Sequence, residues 1–171
     1  MERKGIVTIR GNPLTLIGPD LKIGDYAPDF TVLDGELKEV NIKDFAGKIK
    51  VLSVTPSLDT AVCDMQARRF NQEAAQLSDD VVVLNISMDL PFAISRFCTT
   101  AGIDKIKALS DHRDASFGTA YGVLIKDLRL LARSVFVIDR NGIISYKEIV
   151  PELTDVPDFV SPLAMVRKLL A

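Results

Sequence analysis

A chain of 171 residues with 47% apolar and 26% charged side chains has the balance of a soluble globular protein. At this length roughly 70% of the unfolded surface can be buried, so no disulfide or metal is required for folding. Lysine and arginine number 21 against 23 aspartates and glutamates, and the net charge of −2 removes the electrostatic case for binding nucleic acid or an anionic membrane.

No apolar run approaches the roughly 18 residues of a membrane span. The charged opening Met1–Thr8 lacks the apolar stretch of a secretory signal. The expected location is the cytoplasm, where two cysteines are not expected to form a static structural disulfide. They are either inert core thiols or working ones.

Residues 5–18 read as a β-hairpin about Gly11-Asn12-Pro13, with Gly18-Pro19-Asp20 closing it. An irregular stretch follows to Phe30. Phe30–Leu33 and Val40–Ile42 then read as short strands, and Lys43–Gly47 as a helical turn with a glycine stop. Lys50–Val54 is mostly apolar, as a buried central strand should be. From about 61 to 77, Cys63, Ala67, Phe70, Ala74 and Leu77 recur at helical spacing, with Arg68, Arg69 and Glu73 facing away.

Val81–Ser87 is a second buried strand. Pro91 suits the first turn of a helix that ends near Gly102. Ile106–Ser110 reads as a short strand and Ala115–Tyr121 as a helical turn. Arg133–Ile138 and Ile143–Lys147 form a hairpin about Asn141-Gly142, and 157–170 is the closing helix. Parallel βα units followed by an antiparallel hairpin predict an α/β fold of thioredoxin-like type. A mixed central sheet flanked by helices would form one domain over 1–171, with 5–18 as an N-terminal hairpin extension.

The stretch Thr55–Cys63 draws the chemistry to itself. The strand stops at Pro56, Asp59 or Thr60 is placed to cap the next helix, and Cys63 falls in its first turn. A helix N-terminus offers unpaired N–H groups and roughly half a positive charge, which favour a thiolate, the nucleophilic form. Open α/β sheets also place ligand sites at the C-terminal ends of their strands. Against this, Cys63 lies on the apolar stripe and reads equally as a core residue. Thr60 can cap the helix through its oxygen or set a hydroxyl beside the sulfur. Pro56 can end the strand or wall the sulfur from water.

Arg133 opens an apolar strand, where an edge arginine with its head in solvent is the ordinary reading. Cys98 shares a helix face with Ile94 and Phe97 and reads as a second core thiol. The one histidine, His112, sits in a polar turn and reads as solvent-exposed, leaving a cysteine protease without its base. Paired metal-ligand spacings and glycine-rich phosphate loops are missing from the sequence, so no metal and no cofactor are expected.

Pro56, Thr60 and Cys63 match the pattern P-x-x-x-T-x-x-C of the peroxiredoxin active site, and the chain resembles that family's thiol peroxidase branch, the atypical 2-Cys type. Further stretches agree along nearly the whole chain: Gly11–Thr15, Asp89–Ala93, Ser95–Cys98, Ala120–Val123 and Ala132–Asp139. Pro151 departs from the acidic residue expected there. The resemblance implies that Cys63 is the peroxidatic cysteine and is oxidised to a sulfenic acid. Cys98 is then the resolving cysteine, closing an intramolecular disulfide with it. Thr60 and Arg133 belong to the peroxide site, beside Pro56. The implied enzyme reduces hydrogen peroxide and organic hydroperoxides, is recycled by thioredoxin, serves antioxidant defence and works as a homodimer. Its interface lies near the active-site loop and the Pro91 helix. A redox-sensing module of the same fold is the alternative, and steady-state turnover separates the two.

Magnitudes say why Thr60 and Arg133 are needed. A thiol with a pKa of about 8.5 is roughly 3% thiolate at pH 7, so lowering it gains at most about thirtyfold. Enzymatic accelerations commonly exceed about 10⁶, and the remainder must come from positioning the peroxide and stabilising charge as the O–O bond breaks. A disulfide needs Cα atoms roughly 4.4–6.8 Å apart. Cysteines on two different helices are expected to meet only after the turn around Cys63, the helix around Cys98, or both, unwind locally. Phe92, Phe97 and Tyr121 are the apolar neighbours expected to make room for an alkyl peroxide.

Overall fold

Alternating apolar residues dictate the centre of the molecule. In the computed structural model, which describes residues 1–171, Ile49–Val54 is buried along its whole length. Ile49 and Val51 face one core with Ala67, Phe70, Ile94 and Val166, while Leu52 and Val54 face another with Leu16, Leu84, Ile86 and Phe136. A strand buried on both faces must lie inside its sheet.

In chain order the strands are β1 (Glu2–Ile9), β2 (Asn12–Ile17), β3 (Thr31–Leu33), β4 (Glu39–Asn41), β5 (Ile49–Val54), β6 (Val81–Ser87) and β7 (Lys107–Ser110). They continue as β8 (Leu124–Ile125), β9 (Leu130–Leu131), β10 (Ser134–Ile138) and β11 (Ile144–Ile149). The helices are α1 (Ala61–Ala74), α2 (Pro91–Ala101), the short α3 (Ser116–Ala120) and α4 (Val160–Leu170), and Ile42–Phe45 is a single 3₁₀ turn.

A seven-stranded sheet runs β11-β10-β5-β6-β7-β3-β4, parallel through β5-β6-β7 and antiparallel elsewhere. This is the mixed sheet of the thioredoxin-like expectation. α1, α2 and α4 pack on one face. The other face carries the N-terminal hairpin and an aromatic group in which Tyr121 stacks on Phe117 and meets Phe30 and Phe136 edge-on.

The structure revises several sequence readings. The N-terminal hairpin is present but spans 2–17 rather than 5–18, and it is joined to further strands. β2 pairs with β8, and β8 with β9, making a second, four-stranded sheet. These two-residue strands carry no readable alternation, and the polar turn Lys126–Arg129 between them masks the pairing. Gly18 sits at φ +112, where a Cβ would fall 2.2 Å from the Thr119 carbonyl oxygen, so only glycine lets the hairpin end approach α3. α1 stops at Ala74 rather than 77, α4 starts at Val160 rather than 157, and Arg133 lies just before β10 instead of opening it. No helix is long and apolar enough to cross a membrane.

Candidate active site

β5 delivers the chain to Thr55 and Pro56, both buried at the C-terminal end of a central strand. Thr60 then caps α1 in extended backbone, its Oγ1 accepting the Cys63 N–H at 3.3 Å. The same hydroxyl donates to the Ser57 carbonyl at 3.3 Å. The capping role of Thr60 is therefore present in the structure. Cys63 has no exposed surface, and both cysteines are free thiols.

Arg133 is not a solvent-facing edge residue. It is 2% exposed, with Nε and Nη2 donating to the Leu153 carbonyl at 3.1 and 2.9 Å. Nη1 donates to Gln66 Oε1 at 3.0 Å. Gln66, itself fully buried, is fixed in turn by donating from Nε2 to Ser53 Oγ at 2.9 Å and to the Val54 carbonyl at 3.3 Å. The guanidinium therefore has neutral oxygens for partners and no carboxylate. Burying an ion costs free energy, which these hydrogen bonds offset in part and an incoming negative charge would offset further. Sequence reading missed Gln66, although its place three residues after Cys63 sets it on the same side of α1.

Pro56, Thr60 and Arg133 meet at one cavity of about 290 Å³. Its apolar walls include Ile9 from β1, Val62 from α1 and Leu153 from the C-terminal loop. Cys63, one residue beyond Val62 in the chain, is fully buried and is not itself part of the lining. Phe92, Phe97 and Tyr121 are not in the wall. Phe92 is exposed, Phe97 lines a different groove between α1 and the end of α2, and Tyr121 is core, with its hydroxyl donating to the Pro28 carbonyl at 2.8 Å. Only Phe97 stays local to the cysteines, in a groove that Leu58, Thr60 and Ala61 also line.

The C-terminal loop is tied down by Glu152, next to the unexpected Pro151. Its carboxylate accepts the Thr8 hydroxyl and the Gly11 N–H, each at 2.9 Å, and the Thr154 N–H at 3.0 Å. The Thr154 and Gly11 donors hold its pKa down to about 2. The loop in turn carries Leu153, whose carbonyl holds Arg133.

Cys98 lies in the last turn of α2, its carbonyl accepting the N–H of the capping Gly102, and is half-buried against the core shared with α1 and α4. Burial pushes its thiol above the ordinary value. α1 and the end of α2 are joined by Arg68, which donates to the Ala101 carbonyl at 3.3 Å and pairs with Asp64 at 2.5 Å. His112 is half-buried in the turn after β7, not fully exposed, and takes no part in this cavity.

The Redoxin family pattern matches residues 22–163. The thiol peroxidase of Bacillus subtilis is 55% identical over 164 residues, which is 96% of this chain and 98% of that one. The chain belongs to the thiol peroxidases of the Redoxin family. Another thiol peroxidase, from Staphylococcus aureus, is 53% identical over 95% of this chain and 98% of its own length. Among solved structures, a peroxiredoxin-like protein from Aquifex aeolicus superposes with a TM-score of 0.90 at 38% identity, covering 97% of this chain and 98% of that one. The structure of a thiol peroxidase from Chromobacterium violaceum shares the fold, with a TM-score of 0.83 at 22% identity over 95% of each chain. The thiol peroxidase likeness includes most of the N-terminal hairpin, which the broader Redoxin pattern leaves out. Thiol-dependent reduction of peroxides, with a thioredoxin-type reductant, is the activity of this family.

Proposed function

We propose that Cys63 is the peroxidatic cysteine and that Thr60, Arg133 and Pro56 form the peroxide site above it. The Cys63 thiolate attacks the nearer oxygen of a hydroperoxide, the O–O bond breaks, and the leaving oxygen takes a proton to become water or an alcohol. Cys63 is left as a sulfenic acid. The cavity shared by Pro56, Thr60 and Arg133 carries this reading, because a buried cation without a carboxylate is aimed at the place where negative charge develops.

Cys98 then attacks the Cys63 sulfenic sulfur, water leaves, and a Cys63–Cys98 disulfide forms. A thioredoxin dithiol reduces the bridge by exchange. The whole chain acts as one domain in the cytoplasm and pairs into a homodimer near the Pro91 helix, a reading supported by exposed Leu90 and Phe92 at the start of α2. Apolar walls on the cavity favour alkyl hydroperoxides alongside hydrogen peroxide.

The test is steady-state turnover with thioredoxin, thioredoxin reductase and NADPH. Cys63→Ser should abolish peroxide consumption. Cys98→Ser should react once and stall as a sulfenic acid under thioredoxin. Wild-type activity in Cys63→Ser would sink the assignment. Sedimentation of both redox forms tests the dimer.

A further inference from the structure

The loop between β6 and α2 makes contacts that the peroxide chemistry above does not use. Asp89 stands two residues before Pro91, ahead of the helix that carries Cys98. Its carboxylate reaches across to the turn that leads into Cys63. Oδ1 accepts the Ser57 hydroxyl at 2.7 Å, and Oδ2 accepts the Leu58 N–H at 2.8 Å. Oδ2 also accepts the Ser87 hydroxyl at 2.8 Å, from the last residue of β6. The Asp89 carbonyl accepts the Ser110 hydroxyl at 2.5 Å, from the end of β7. One carboxylate thus joins the Cys63 turn to a base fixed by two strands.

The turn has little else to hold it. Apart from the Thr60 carbonyl, which accepts the Asp64 N–H at 2.9 Å, its internal bonds are long. Thr60 N–H and Thr60 hydroxyl each reach the Ser57 carbonyl at 3.3 Å, and Cys63 N–H reaches Thr60 Oγ1 at 3.3 Å. The bonds to Asp89 are about half an ångström shorter and charge-assisted, the stronger class. Besides them, the buried Leu58 side chain is the main anchor. Asp89 therefore supplies the shortest hydrogen bonds from outside to the segment 57–60, which leads through Thr60 into the first turn of α1.

We propose that Asp89 is a positioning residue that latches the Cys63 turn to the base of the Cys98 helix, keeping the turn folded for the peroxide step and setting how often it unwinds for the disulfide. This rests on the roles proposed above for Cys63 and Cys98. The two steps draw on different members of one equilibrium. The peroxide reaction uses the folded majority, and bridge formation uses the unwound minority. A tenfold shift toward unwinding leaves most of a strongly favoured folded form in place but multiplies the minority about tenfold. Loss of the latch therefore accelerates the second step while nearly sparing the first, whereas general damage slows both.

The experiment uses full-length Asp89→Asn and Ser57→Ala, mixed with one equivalent of hydrogen peroxide. Peroxide loss is followed by stopped flow, and the Cys63–Cys98 bridge by rapid alkylation and mass spectrometry. Asparagine keeps the shape but cannot accept from both Ser57 and Leu58 through oxygen. Bridge formation should rise about tenfold in Asp89→Asn, equivalent to about 1.4 kcal/mol in the unwinding equilibrium. The peroxide rate constant should fall less than about threefold, by the population arithmetic above. Ser57→Ala should shift both in the same directions by less, and the double variant should add little to Asp89→Asn alone. If Asp89→Asn does not fold, Ser57→Ala decides by the same signs. An unchanged or slower bridge step, or equal loss in both steps, overturns the latch while leaving the cysteine roles standing. A wild-type protein that forms no Cys63–Cys98 bridge overturns both.

Discussion

Gln66→Met would show how much of the peroxide reaction depends on aiming the Arg133 guanidinium. Methionine matches the length and straight chain of glutamine, so packing between α1 and β5 is kept. Three hydrogen bonds are lost, the one its Oε1 accepts from Arg133 Nη1 at 3.0 Å and the two its Nε2 donates, to Ser53 Oγ at 2.9 Å and to the Val54 carbonyl at 3.3 Å. A hydrogen bond to a buried charged group contributes about 1.5–3 kcal/mol. Arg133 stays tethered through Nε and Nη2 to the Leu153 carbonyl, so it swings about that tether instead of leaving. If the whole loss is felt where the O–O bond breaks, kcat/KM for peroxide falls roughly 10- to 100-fold. Peroxide kinetics and thermal unfolding should be measured together. Once the sulfenic acid exists, bridge formation should keep its wild-type rate. A lowered Tm with unchanged kcat/KM would show that Gln66 serves packing alone and that Arg133 needs no such support.

Three further outcomes follow from the same geometry. Thr60→Val removes the cap on the Cys63 N–H and should lower stability by about 1 kcal/mol in denaturant unfolding, with Thr60→Ser restoring most of it. Leu16→Ala empties a fully buried site in the hairpin and should cost about 2–5 kcal/mol in one cooperative transition. A separate early transition for the hairpin would contradict its place in the shared core. Glu152, with its pKa held near 2, stabilises its loop fully above the ordinary carboxylate range and loses that effect as pH falls toward about 2. The Gly11 amide should therefore exchange faster relative to Val7 at pH 2 than at pH 6, and Glu152→Gln should show the faster exchange at both.

Elements with strong local pattern were legible in the sequence. β5, β6 and β10 announce themselves as apolar runs, the Asn141-Gly142 hairpin as a turn signal, and α2 by Pro91 at one end and Gly102 at the other. What could not be read depends on contacts distant along the chain. The pairing of β2 with β8 rests on two residues from each strand. Arg133 looked like an edge cation because its partners, Gln66 and the Leu153 carbonyl, come from other elements. Thr60, by contrast, caps a helix with a partner three residues away, a local relation that spacing reveals. The cavity wall shows the same division. Pro56 and Thr60 were legible beside Cys63, whereas Ile9 and Leu153 reach it only through the tertiary fold.

Burial of the Cys98 thiol makes the unwinding of α2 testable through pH. Cys98 is half-buried, and that burial alone raises its thiol above the ordinary cysteine pKa of about 8.5. As pH climbs from the ordinary value toward the raised one, an opened α2 releases its proton first and the folded form later. The folded state then holds more protons than the open state, and its stability falls with rising pH across that window. The contribution is fully present below the ordinary value and is lost as pH rises through the folded one. In Cys63→Ser, where Cys98 is the single thiol, iodoacetamide labelling of the native protein should show a pH midpoint above that of the same protein in urea. A native midpoint at or below the denatured one would mean that Cys98 already reacts from an open, solvated position. In that case unwinding of α2 would not be required for the bridge, and the whole movement would fall to the turn at Cys63.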